Sequence, residues 1–76
     1  MEEFLRFVLG ELVEFPDELV ISRADEGDKI TFHVAARKSD IAKIIGKGGH
    51  TIQAVRTLLE ASAMKRGGRV AMEVIE

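Results

Sequence analysis

Gly46-Lys47-Gly48-Gly49 sets a single lysine among three glycines, between two apolar-periodic segments, with Ile44-Ile45 before it and Ile52 three residues after it. Glycines on both sides of a basic residue let the backbone approach another surface without Cβ clashes. A helix that starts at such a turn presents free N–H groups and the positive end of its dipole there. Together these features can hold an anion, and a phosphate above all. His50 opens the next segment as a further donor to phosphate or base, or as a plain exposed histidine. Lys47 is either a phosphate contact or a solvated loop lysine.

Other chemistries find no support. A Walker loop needs G-x-x-x-x-G-K-[ST] after a strand, whereas this loop follows a helical pattern and ends in Gly-Gly-His. The dinucleotide fingerprint G-x-G-x-x-G is missing, and Ser22, Ser39 and Ser62 lack a nucleophile-elbow context. Without cysteine there is neither a disulfide nor a thiolate zinc site. His33 and His50, the two histidines, fall in no metal-ligand spacing. We therefore expect no enzyme, no metal and no cofactor. With no Trp or Tyr and only four Phe, aromatic stacking platforms for bases are excluded as well.

The charge distribution singles out the same region. The first 36 residues hold three basic and nine acidic side chains, a net of −6, while residues 37–76 hold eight basic and four acidic, a net of +4. The overall −2 thus conceals basic charge gathered around the glycine loop, and anion attraction follows the local field. Hydrophobic residues at 46% and charged residues at 32% fit one small globular domain over 1–76. No apolar run approaches the ~20 residues of a membrane span. Glu2 and Glu3 do not suit a secretory n-region, so the expected compartment is the cytoplasm.

The elements that must position the loop follow from periodicity. Phe4, Leu5, Val8, Leu9, Leu12 and Val13 predict a helix over 3–15, ended by Pro16. Leu19-Val20-Ile21 predicts a strand over 18–23, with a turn at 25–28. Ile30, Phe32, Val34 and Ala36 alternate along a second strand over 29–36. Ser39 or Asp40 can cap a short helix that runs to Ile45. A longer helix spans 50–65 with Ile52, Val55, Leu58, Leu59 and Ala63 on one stripe, stopped by Gly67-Gly68. Val70, Met72 and Val74 then alternate as a last strand. The expected architecture is α+β, in the order α-β-β-α-α-β, with three helices on one face of a three-stranded sheet. In the short helix, Ile41 and Ile45 share a face while Ile44 is turned by about 100° from Ile45. Ile44 is expected in the core; Ile41 and Ile45 remain open between core and groove.

The run Ile44–Ile52 resembles the G-x-x-G loop of KH domains, which clamp about four nucleotides of single-stranded nucleic acid. The element order resembles the type II, bacterial arrangement of that fold. Phe15-Pro16-Asp17-Glu18, the Ile44–Gly49 loop, Ala54-Val55-Arg56-Thr57-Leu58-Leu59 and Gly68-Arg69-Val70 resemble the small stand-alone bacterial KH proteins of the KH-domain protein A family. The resemblance covers nearly the full length. It implies low-specificity binding of single-stranded RNA, with Ile41, Ala42, Lys43 and Ile45 flanking the bases and Ile52 near the groove floor. Gly46, Lys47, Gly48, Gly49 and His50 would clamp the backbone, and Lys43, Lys47 and Arg56 would add positive charge. Arg56 could instead be simply solvated. Gly48 stands where the family often has a larger polar residue, which removes one side-chain contact. The resemblance further implies a homodimer, or pairing with a second, larger KH-domain RNA-binding protein, and an association with cell-shape and division control. An adaptor that uses the fold for dimerisation is the rival expectation.

Overall fold

The computed structural model describes residues 1–75. Helix α1 (Glu2–Leu12) leads through a short 3₁₀ turn (Pro16–Glu18) into strands β1 (Val20–Glu26) and β2 (Lys29–Ala35). Helix α2 (Lys38–Ile45), a second 3₁₀ turn (Lys47–Gly49), helix α3 (His50–Lys65) and strand β3 (Arg69–Val74) complete the chain. This is the expected α-β-β-α-α-β order of a type II KH fold. β1 pairs antiparallel with β2, and β2 pairs parallel with β3, giving the sheet order β1-β2-β3.

Strand alternation divides the sheet into two faces. Register pairs Ile21 with Val34 and Phe32 with Met72, and all four are buried. They join Leu5 and Leu9 of α1, Ile44 of α2, and Ile52, Val55 and Leu59 of α3 in one cluster. The opposite sheet face carries Ser22, His33 and Glu73, which lie beside one another in register and take no part in the core. The helices therefore cover one face, and α3 begins and ends where the sequence predicts.

Three boundaries differ from expectation, each for a physical reason. Helix α1 stops at Leu12 rather than 15, with Val13 extended at φ −87° and ψ 153°. The next two N–H groups, of Glu14 and Phe15, bond to the Asp40 carboxylate and not to helical carbonyls. Pro16 then opens a 3₁₀ turn, where its lack of an N–H is harmless. Strand β1 starts at Val20 and runs to Glu26, so that the hairpin tightens to Gly27-Asp28. Helix α2 begins at Lys38 after Arg37, and neither Ser39 nor Asp40 caps it. At its far end α3 closes with Gly68 N–H to Ala63 O and Gly67 N–H to Met64 O, both at 3.0 Å, a Schellman arrangement. Leu58, expected on the buried stripe, is 56% exposed, because Ile52, Val55, Leu59 and Ala63 already fill the inward arc.

Candidate nucleic-acid interface

The short helix α2 faces two ways. Ile44 is fully buried and belongs to the core cluster, as expected. Ile41, Ala42 and Ile45 line an open groove of about 670 Å³ with Lys38, Ala35, Ala36 and Ile75. Ile41 is 8% exposed, and Ile45 is partly buried against the core cluster while lining the groove. The wall is almost wholly aliphatic, which suits flat base faces and offers few hydrogen bonds to tell one base from another.

Gly46 ends α2 with its N–H on Ala42 O at 2.9 Å. Its φ of 77° and ψ of 169° lie in a region that only glycine adopts readily. A Cβ there would meet Thr51 Oγ1 at 2.2 Å and the Thr51 Cβ at 2.6 Å. Gly48 (φ 63°) and Gly49 (φ 76°) are also left-handed, and Gly49 N–H returns to Gly46 O at 3.0 Å. The chain thus reverses within four residues and starts α3 at His50, whose imidazole Nε2 lies 3.7 Å from where a Gly48 Cβ would be. Lys47 and Gly48 are exposed, and among the described residues Lys47 makes no salt bridge. His50 N–H likewise returns to Lys47 O, which leaves the Lys47 and Gly48 N–H groups without a backbone acceptor among the described residues. They stand beside a free ammonium and next to an aliphatic groove, an arrangement suited to a nucleic-acid backbone with its bases turned inward.

Three predicted residues lie elsewhere. Ile52 is in the core cluster and is not part of the groove wall. The Lys43 ammonium lies 3.6 Å from Glu14 Oε1 and 3.8 Å from Asp40 Oδ1, towards the α1–β1 connection. The Arg56 guanidinium donates through Nε (3.3 Å) and Nη2 (3.0 Å) to the Met72 carbonyl. Arg69 N–H bonds Asp28 O and Ile75 N–H bonds Val34 O, so odd-numbered residues of β3 face β2. Met72 O consequently points to the outer edge, and Arg56 covers that edge rather than the α2 groove.

Sequence reasoning missed Ala35, Ala36, Lys38 and Ile75 of the groove lining, and the role of Asp40. Lys38 falls at positions i−3 and i−7 from Ile41 and Ile45, a helical spacing that could have revealed it. Ile75 continues the β3 alternation onto the exposed side. Asp40 is fully buried. Its Oδ1 accepts from Glu14 N–H at 3.1 Å and its Oδ2 from Phe15 N–H at 3.0 Å. Burial penalises its charge, but these donors and the nearby Lys43 and Arg37 outweigh that, holding the carboxyl below its ordinary range.

The family model described as "KhpA/KhpB, KH domain" matches residues 2–74. A protein of Chlamydia pneumoniae named RNA-binding protein KhpA is 41% identical over 76 residues, covering all of this chain and 97% of its own. One of the same name from Listeria monocytogenes is 32% identical over the full length of both chains. A third, from Oceanobacillus iheyensis, is 29% identical over 99% of this chain and 100% of its own. No solved structure matches with significance.

Proposed function

The chain belongs to the KhpA/KhpB KH-domain family, and on that premise we propose that it binds short single-stranded RNA with low sequence specificity. The observation that carries this reading is the Gly46–Gly49 turn, whose backbone only glycine permits at Gly46, beside an aliphatic groove. Phosphates contact the N–H groups of the turn with Lys47, and His50 adds a donor at the start of α3. Bases rest on Ile41, Ala42 and Ile45. Lys38 takes the supporting role that the sequence assigned to Lys43 and Arg56, since both of those are engaged elsewhere. The aliphatic wall accounts for low specificity. The protein is a binding module and not an enzyme.

One KH module holds only about four nucleotides, so a second module on the same RNA raises the effective affinity. A homodimer, or a complex with a larger KH-domain RNA-binding protein, supplies it. Supporting this, Phe4 (41% exposed), Phe7 (67%) and Leu58 (56%) leave apolar surface on α1 and α3, with Phe4 and Leu58 lining one depression. The module then acts in the cytoplasm as a post-transcriptional regulator or RNA chaperone, in the service of cell shape. No described helix is long and apolar enough to cross a membrane.

The same exposed phenylalanines favour a second reading, a dimerisation adaptor whose RNA contact is incidental. Fluorescence anisotropy with a labelled oligoribonucleotide at several salt concentrations separates the two. Salt-dependent binding supports RNA recognition; no binding, with assembly intact, supports the adaptor.

A further inference from the structure

Helix α2 has only eight residues, little more than two turns, too few to hold its own geometry in isolation. Its rotation about its axis must therefore come from what it touches. Asp40 and Ile44 are four residues apart and share one face. Ile44 anchors that face in the core, and Asp40 anchors it to the main chain of the α1–β1 connection. Ile41 and Ile45, the next positions on, form the adjacent face and line the groove. A slip of one residue would turn the helix by about 100° and carry Ile41 and Ile45 out of it.

The connection is itself held by the same helix. Arg37, immediately before α2, stacks its guanidinium 3.6 Å from the centroid of the Phe15 ring and pairs with Glu18. Lys43 bridges Asp40 and Glu14. Phe15-Pro16-Asp17-Glu18 thus serves as a cradle for α2, and Asp40 is the only buried polar side chain among the described residues. The chemistry requires a carboxylate, because two N–H donors point at two separate oxygens. An asparagine would turn its NH₂ towards one of them, donor against donor.

We propose that Asp40 is a positioning residue for RNA: with Ile44 it fixes the rotation of α2, and so the presentation of Ile41, Ala42 and Ile45 and the aim of the Gly46–Gly49 turn. This rests on the RNA-binding reading above.

The test compares Asp40→Asn with Leu59→Val, which loosens the core at α3 and touches neither anchor of α2. Both are measured well below their melting temperatures, against a short labelled single-stranded RNA. Asp40→Asn is expected to weaken binding roughly tenfold, the scale on which supporting residues act at other preorganised sites. Its salt slope stays that of the wild type, because no phosphate contact is removed. Backbone amide resonances of Ile41, Ala42, Ile45 and Gly46 shift together with those of Glu14 and Phe15. Leu59→Val keeps affinity within about twofold, since one methylene lost from the core at α3 leaves both anchors of α2 in place. A folded Asp40→Asn with wild-type affinity, or affinity losses in both variants that merely follow their melting temperatures, overturns the proposal. Should Asp40→Asn not fold, the wild-type protein still decides. Saturating RNA should slow hydrogen exchange at the Glu14 and Phe15 amides, which are not part of the groove lining, and unchanged exchange there contradicts the proposal. A wild-type protein that binds no RNA defeats the underlying function instead, a distinct outcome.

Discussion

Gly46 and Thr51 are so close that a single added carbon at Gly46 would lie 2.2 Å from the Thr51 hydroxyl oxygen. The turn is closed around that contact, and it brings the end of α2 against the first turn of α3. Gly46 also has φ 77° and ψ 169°, which side chains disfavour independently of the clash.

Gly46→Ala is accordingly expected to lower stability by ~2–4 kcal/mol and to abolish RNA binding. Gly48→Ala meets only ordinary contact with His50 at 3.7 Å and should cost about 1 kcal/mol. Thermal melts of the two variants check the ranking, and equal losses would contradict the geometry of the turn.

Ile44 and Ile45 are neighbours with different tasks. Ile44→Ala removes a fully buried side chain and should destabilise by ~2–5 kcal/mol. Ile45→Ala should destabilise less and weaken RNA binding more. Denaturant unfolding and RNA titration on both variants test this; the reverse order would mean that α2 presents another face to the groove.

The two lysines of this region should also separate. For single strands, log K falls with log salt by about 0.7 per phosphate contact. Lys47→Ala should reduce the slope by about that amount, and Lys43→Ala, tied to Glu14 and Asp40, should leave it unchanged. Titrations at several salt concentrations decide it, and a lower slope for Lys43→Ala would place its ammonium on the RNA.

Much of this was legible in the sequence, and what was not has a common cause. Helix α3 showed in its apolar period and its flanking glycines, and the burial of Ile44 was expected, whereas the sequence left Ile45 open between core and groove. Asp40 misled, because a Ser-Asp pair before an apolar run reads as a helix cap. Its real partners lie 25 and 26 positions away, beyond any local pattern. The early end of α1 has the same origin, since Asp40 takes the N–H groups that would have continued the helix. Arg56 follows the helix stripe, but only the sheet order reveals that its reach ends on the free edge of β3.

Acid should expose that hidden tie. The Asp40 carboxyl is depressed in the folded state, so its contribution is present above the unfolded value of about 3.9 and is lost as pH falls through the lower folded value. The melting temperature should be level from about pH 5 to 7 and drop steeply below about pH 4. Asp40→Asn should melt lower, by ~5–15 °C at neutral pH, and should show a shallower acid decline. A wild-type melting temperature that rises on acidification would contradict the assignment.

The most direct test of the clamp is replacement of Lys47 and Gly48 by two aspartates. Both positions are exposed in the turn and neither packs into the core, so the circular dichroism spectrum should stay that of the wild type. Two carboxylates where phosphates would lie should reduce affinity for a short single-stranded RNA by at least about a hundredfold, through repulsion and the loss of a lysine contact. Anisotropy titration of the folded double variant gives the answer: binding lost with fold intact is the predicted result, and unchanged affinity would contradict the account at its centre.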